Sequence, residues 1–171
     1  MKSENKNYKF KSSETDIALS SRDEVKIINI ALTQKTSRNI DILSKHLDNS
    51  IFDVSDFIDA VKNLSISSKF TRIRILIKDS DPIIKNGHRM IELIQQLTSS
   101  IEVRKISDEY KSYNEAFSLY DGRGVIYLRY ADRYEGLANF DRPRLATELS
   151  NKFNEIWEHS VQDPNLRRLH L

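Results

Sequence analysis

The 171-residue chain contains no cysteine, and this absence excludes three kinds of chemistry at once. A disulfide framework, a zinc–thiolate site and a cysteine nucleophile all require the missing residue. Glycine and proline are scarce too, with four and three residues. Because neither a P-loop motif nor a GxGxxG motif occurs, we do not predict phosphate binding by a glycine-rich loop.

Long apolar runs are also missing. The first 16 residues lack the apolar run of about 7–15 residues that a secretory signal needs. No segment approaches the roughly 18 apolar residues of a membrane-spanning helix. These absences predict a cytoplasmic protein that does not enter a membrane.

Neither sign of charge is in excess. The chain has 27 Lys and Arg residues against 25 Asp and Glu residues, a formal net charge of +2. This balance is not typical of a dedicated nucleic-acid binder. The histidines and carboxylates also lack metal-ligand spacing, so we predict no metal and no cofactor.

The composition, 39% hydrophobic and 30% charged, is typical of a single globular domain. Residues 1–20 are rich in Lys, Ser and Asn and lack periodicity, which predicts a mobile N-terminal tail. Residues 21–160 carry the periodic segments of one α/β domain. Residues 161–171 form a C-terminal extension whose leucines predict docking on the domain or on a second chain.

Helix signals recur along the domain. Ser21 and Glu24 have the spacing of a capping box at the start of the first helix. The other predicted helices begin, in chain order, at Asp53 before an apolar stripe over 54–64, at Asp81-Pro82 before a stripe ending at Leu97, and near Pro143.

A short extended piece is predicted over 134–140, and short alternating segments predict strands at 39–45, 71–77, 101–106, 116–120 and 124–128. The last two flank the turn dipeptide Asp121-Gly122, which is typical of a hairpin. Helices that alternate with strands imply parallel strands joined by right-handed crossovers. We therefore predict an α/β fold: a single mixed sheet, mainly parallel with an antiparallel hairpin, with helices on both faces.

The order of these elements over residues 22–160 resembles the phospholipase D-like superfamily. The similar strings are RIRILI at 72–77, IEVRK at 101–105, and NEAFSLYDGRGVIYL where that superfamily carries HxKxxxxD. LANFD at 137–141 is similar to its GSANF segment. The resemblance implies the superfamily's fold and its anion-binding cleft.

The resemblance also bears on catalysis. When the motif is aligned on Asp121, the histidine position holds Asn114 and the lysine position holds Ala116. The superfamily's chemistry needs a histidine nucleophile and a lysine that neutralises phosphate charge, and neither residue supplies these. Further strings, such as NGHRMIELIQQL at 86–97, resemble a bacterial domain of unknown function found alone or attached to GNAT-type acetyltransferases. That resemblance implies an acetyltransferase partner or self-association.

An Arg- and Tyr-rich stretch over residues 123–142 is the first candidate site, with Arg129, Arg133 and Asn139 as its centre. Asn139 falls on the asparagine of the superfamily's GSANF segment. Arginine and tyrosine together are typical of binding surfaces and of platforms on which nucleic-acid bases stack. The same arginines could instead form a structural network with neighbouring carboxylates, and the sequence leaves both interpretations open.

His46 is a candidate ligand-binding residue, because it follows a predicted strand at the end where α/β folds place ligands. Asp121 is either a turn residue or a retained site residue, and His88 is predicted on a helix surface. The leading hypothesis is a non-catalytic binding or interaction module. One alternative is an enzyme that uses His46, His88 and Asp121, and another is nucleic-acid binding through the Arg- and Tyr-rich stretch.

Overall fold

A seven-stranded sheet organises the chain in the computed structural model, which describes residues 15–167. The strands are β1 (Ile17–Leu19), β2 (Asn39–Ser44), β3 (Arg72–Ile77), β4 (Ile101–Lys105), β5 (Ala116–Tyr120), β6 (Gly124–Leu128) and β7 (Gly136–Asn139). Their spatial order is β1-β7-β6-β5-β2-β3-β4.

The helices are α1 (Arg22–Lys35), α2 (Asn49–Phe52), α3 (Ser55–Ser67), α4 (Asp81–Asn86), α5 (Arg89–Gln96), α6 (Pro143–Glu158) and α7 (Pro164–Arg167). A short 3-10 helix occupies Asp108–Tyr110. The capping box predicted for α1 is present, because Ser21 accepts from the Glu24 amide and the Glu24 carboxylate accepts from the Ser21 amide.

The predicted single mixed sheet is confirmed. Strands β2 and β3 are parallel neighbours, as are β3 and β4. The other four pairings are antiparallel, so the sheet is mainly antiparallel and not mainly parallel as predicted. The reason is that β5 pairs antiparallel with β2 and that β7 and β1 extend the sheet beyond the hairpin β5–β6.

Strand residues alternate between two apolar cores, because successive side chains point to opposite faces of a sheet. Ile42 and Ile75 pack in the cluster that contains residues of α1, α3 and α5. Their neighbours Leu43 and Leu76 pack with α6, around Phe153. Helices therefore cover both faces, as predicted.

Two boundaries differ from the sequence-based prediction. Residues 17–19, assigned to the tail, form β1 and pair with β7; residues 1–14 lie outside the described residues. Asp53 does not cap α3, which begins after Val54 without a side-chain cap. Its carboxylate instead accepts a hydrogen bond from Arg89 Nε at 2.7 Å, because this arginine from α5 lies beside it.

The predicted third helix is divided into α4 and α5. Gly87 has φ of 71°, a left-handed conformation that glycine adopts without steric cost. The chain turns there, and His88 becomes the N-cap of α5. His88 is only 4% exposed, so its predicted place on a helix surface is wrong.

The C-terminal segment packs on the domain as far as it is described. Val161 forms an isolated antiparallel bridge with Lys105 of β4, and Leu166 of α7 is buried. Leu169 and Leu171, also predicted to dock, lie outside the described residues. Among the residues that the structure describes, no helix combines the length and apolar character needed to cross a membrane.

Candidate functional site

A cleft lies where β2 ends, β5 begins and β6 ends. It consists of two adjoining cavities that share Ala131 and Asp132. The cationic cavity, of about 390 Å³, is lined by Lys45, Lys78, Asn114, Tyr130, Ala131, Asp132 and Arg133. The apolar cavity, of about 440 Å³, is lined by residues of α1, β2, α2, β5 and β6 and by the loops that follow β2 and β6.

Three cations surround the cationic cavity. Lys45 follows β2, Lys78 follows β3, and Arg133 comes from the loop between β6 and β7, while Asp132 is the one carboxylate in this lining. Lys78 Nζ donates to the carbonyl oxygen of Tyr113 at 3.1 Å, which holds the ammonium group beside β5. This excess of positive charge in a concave site attracts anions.

One face of α1 forms a wall of the apolar cavity. Arg22, Val25 and Asn29 line it, and their spacing of three and four residues places them on the same helix face. Asn29 is 1% exposed, and its Oδ1 accepts a hydrogen bond from the Tyr120 hydroxyl. Its Nδ2 is buried and has no partner among the described residues.

A charged network closes the outer wall of the apolar cavity. The Tyr134 hydroxyl donates to Asp48, and Arg22 Nε lies 3.2 Å from the same carboxylate. Burial opposes ionisation of Asp48, but the bonds from Tyr134 and the Ser50 amide and the charge of Arg22 outweigh it and lower the pKa. Asp48 is therefore ionised and already paired, so it adds little free negative charge to the cleft.

Two of the five predicted binding residues line the cleft. His46 lines the apolar cavity. Arg133 lines the cationic cavity, and its guanidinium carbon lies 5.4 Å from the centroid of the Tyr130 ring. Arg129 is exposed directly after β6 and lines neither cavity.

Asp121 and Asn139 lie at the other end of the sheet. The Asp121 carboxylate accepts from the backbone amides of Ser37, Arg38 and Asn39 at 2.7–2.9 Å. Because β2 runs from there toward His46, roughly 20 Å of extended chain separates the two side chains. Asn139 pairs in register with Val125, three residues before Leu128, and its Nδ2 donates to Asp16.

His88 has a structural arrangement. Its Nδ1 accepts from the Met90 amide at 3.1 Å and its Nε2 lies 3.0 Å from the Leu47 carbonyl oxygen, to which it donates. An imidazole that both accepts and donates is neutral, and burial lowers its pKa in agreement. The enzyme alternative requires His46, His88 and Asp121 to lie together. Asp121 lies at the other end of the sheet and both ring nitrogens of His88 are engaged, so the structure does not bring the three residues together.

Sequence reasoning missed two kinds of cleft residue. Lys45 and Lys78 directly follow the predicted parallel strands, and that position is a usable signal because carboxyl ends of parallel strands gather ligand-binding groups. Asn29 interrupts the apolar stripe of α1, which is a weaker signal of a polar group held in a cavity. In the span 15–167, no group of three or more His, Asp or Glu side chains could hold a metal ion.

A family described as a domain of unknown function, DUF7931, matches residues 21–169. The chain belongs to this family. The match covers strands β2 to β7 and all residues that line the cleft. No curated protein sequence matches the chain.

Three solved structures share the fold of this family member. TrmBL2, an archaeal chromatin protein with a novel mode of DNA binding, has a TM-score of 0.62 at 16% identity over 89% of this chain; the match spans 55%, about half, of TrmBL2. Nuc from Salmonella typhimurium, a phospholipase D family member, has a TM-score of 0.57 at 14% identity, covering 87% of this chain and 99% of Nuc. NucT from Helicobacter pylori has a TM-score of 0.59 at 14% identity, covering 87% and 98%. The fold is phospholipase D-like.

Proposed function

We propose that the chain is a non-catalytic phospholipase D-like module that binds an anionic, phosphate-bearing ligand in the cationic cavity. The observation that carries this proposal is the charge of that cavity: Lys45, Lys78 and Arg133 surround about 390 Å³ with Asp132 as the opposing carboxylate. Ammonium and guanidinium groups are the donors that bind phosphate oxygens most strongly.

The non-catalytic part of the proposal rests on the residues at the nucleophile and charge positions. Asn114 lines the cationic cavity, and its Oδ1 accepts from Lys78 Nζ at 3.3 Å. A carboxamide has no basic nitrogen with which to attack phosphorus. Ala116 lines the apolar cavity with a methyl group only, so the superfamily's lysine charge is not supplied there.

A titration with ribose 5-phosphate tests the binding site. The double variant Lys45→Ala/Arg133→Ala is expected to lower the affinity at least tenfold, because two cations of the cavity are lost. Lys62→Ala, an exposed lysine of α3 outside both cavities, is the matched control and should bind as the unmodified protein does. Equal binding by the double variant would overturn the proposal.

A hydrolysis assay tests the lack of catalysis. With bis(4-nitrophenyl) phosphate we expect no turnover above buffer, because the aligned nucleophile is an asparagine. Turnover that disappears in His46→Ala, the histidine that lines the cleft, would show instead an enzyme with repurposed residues.

Nucleic-acid binding is the second candidate, favoured by the shared fold with a DNA-binding chromatin protein. Arg129 and Tyr130 are both exposed, Tyr130 at the cationic cavity that it lines, and pairs of an arginine and an aromatic residue suit the binding of single-stranded nucleic acid. Fluorescence anisotropy with a labelled single-stranded oligonucleotide separates the candidates. Arg129→Ala should weaken oligonucleotide binding and leave ribose 5-phosphate binding unchanged, because Arg129 lines neither cavity.

A protein partner is the third candidate, and the exposed end of α3 is where we would test it. Ile66 and Phe70 are 65% and 62% exposed, the highest values among the large apolar side chains that the structure describes, and contiguous exposed apolar surface marks protein-interaction sites. An acetyltransferase domain or a second copy of the chain is the partner that the family resemblance implies. Light scattering of the protein alone, compared with Phe70→Ser, tests the second copy.

The proposed compartment is the cytoplasm.

A further inference from the structure

The apolar cavity differs from the cationic cavity in the groups that it offers a ligand. Val25, Phe52, Ile126 and Leu128 contribute apolar surface to it, and all four are buried. Its volume of about 440 Å³ lies within the range of ~300–1,000 Å³ typical of small-molecule sites. Such a cavity suits a largely uncharged group rather than a second phosphate.

Asn29 adds one specific polar group to this cavity. Its Nδ2 is buried without a partner, while its Oδ1 is engaged by Tyr120. In the orientation that lets the Tyr120 hydroxyl donate to Oδ1, the atom left without a partner is the Nδ2 donor; a reversed carboxamide would instead leave Oδ1, an acceptor, without a donor. A buried donor without an acceptor is costly and is rare in folded proteins, so an acceptor belongs at this position.

The two cavities are close enough for one ligand to occupy both. They share Ala131 and Asp132, and the adjacent residues Lys45 and His46 line one cavity each. A ligand with its phosphate among the cations would therefore direct the rest of its structure toward Asn29.

We infer that the apolar cavity is a second subsite, which binds a planar heterocycle with a carbonyl acceptor attached to the phosphate, as in a pyrimidine nucleoside monophosphate. This inference rests on the proposed function, because the cationic cavity must hold the phosphate. The Asn29 Nδ2 group donates to the carbonyl oxygen of the ring, and Ile126 and Leu128 contact the ring. Inorganic phosphate and ribose 5-phosphate leave this subsite empty.

Uridine 5′-monophosphate and ribose 5-phosphate are the two probes, because they share the phosphate and differ in the ring. We expect the nucleotide to bind about tenfold more tightly, from one buried hydrogen bond and the contacts of the ring. The double variant Asn29→Leu/Tyr120→Phe should abolish this preference and leave ribose 5-phosphate binding unchanged. It replaces both hydrogen-bonding partners by apolar groups, which a folded core tolerates better than the loss of one partner.

Lys62→Ala, an exposed lysine outside both cavities, is the control and should keep the nucleotide preference. Ala116→Leu tests the subsite without touching Asn29: it fills space in the apolar cavity and should also reduce the preference. Equal binding of the two probes by the unmodified protein, as expected if ordered water satisfies Asn29, would overturn the subsite and leave the proposed function standing. If neither probe binds, both the subsite and the proposed function are wrong.

Discussion

The two ends of the central sheet use their charged and polar groups in opposite ways. At the closed end, where β2 begins, carboxylates and donors satisfy one another: Asp121 accepts from three backbone amides, and Arg123 pairs with Asp141 at 2.7 Å. At the open end, where β2 and β3 finish, three cations face one carboxylate of their cavity, and Asn29 keeps an unpaired donor.

This contrast shows how to distinguish structural from binding groups in one fold. Asp121 and Asn139 were predicted as site residues, yet their oxygens and amide are used within the protein. Folded proteins pair buried polar groups wherever they can. Groups left in excess around a cavity are therefore the better candidates for a ligand, and the three cations of the cationic cavity at the open end are such groups.

The largest expected effect is the loss of stability caused by a substitution at Asp121, at the closed end of the sheet. Asp121→Ala removes the acceptor of three amide hydrogen bonds and should lower the free energy of unfolding by about 2–3 kcal/mol. Asp121→Asn, which keeps one oxygen and tolerates the positive φ of this position, should lose less. Urea denaturation measures both variants. A change in ribose 5-phosphate affinity larger than the change in stability explains would contradict the separation of the two ends.

His88 holds the loop after β2 at the open end of the sheet, because it donates a hydrogen bond to the carbonyl oxygen of Leu47, the residue between His46 and Asp48. His88→Asn should cost about 1–2 kcal/mol at pH 7.5 through the lost hydrogen bond. Burial lowers the pKa of His88 below its usual 6.5, so below pH 6.5 the unfolded chain binds a proton that the native state does not. The unmodified protein therefore loses stability as the pH falls below 6.5.

The asparagine variant lacks this proton-linked loss. Its stability deficit relative to the unmodified protein should therefore shrink between pH 7.5 and pH 5.5, as urea unfolding at the two pH values will show. A deficit that stays constant or grows would mean that His88 is protonated in the native state.

Two arginines at opposite ends give a matched comparison. Arg133→Ala should weaken ribose 5-phosphate binding about fivefold and leave stability nearly unchanged, because Arg133 is exposed at the cationic cavity. Arg142→Ala breaks the 2.5 Å pair with Asp16. This pair is partly exposed, so stability should fall by less than about 1 kcal/mol, with no change in binding. Calorimetry and urea unfolding of both variants test whether the two effects separate.

The smallest expected effect concerns Asp132, the carboxylate of the cationic cavity. Asp132→Asn removes the negative charge that opposes the phosphate and should strengthen ribose 5-phosphate binding two- to threefold, less at high salt. Titrations at 50 mM and 500 mM NaCl measure the effect and its screening. Weaker binding by this variant would show that Asp132 accepts a hydrogen bond from the ligand.

Local patterns determined most of the fold. The capping box at Ser21, the alternating β-branched residues of β2 and β3 and the Asp121-Gly122 turn each act through the nearest residues of the chain. The break at Gly87 was missed because the apolar stripe continues across it, although a glycine that adopts positive φ ends a helix.

Which polar residues meet was decided only by the tertiary structure. The sequence predicted His46 and Arg133, which line the cleft, and it also predicted Asp121, whose carboxylate is used by residues 37–39, more than 80 positions away. Asn29 is another residue whose surroundings only the tertiary structure reveals. Tyr120 from β5 engages its Oδ1, and residues of β6 line the same cavity. Hydrogen bonding and charge pairing between distant segments depend on register and sheet order, which no local periodicity contains.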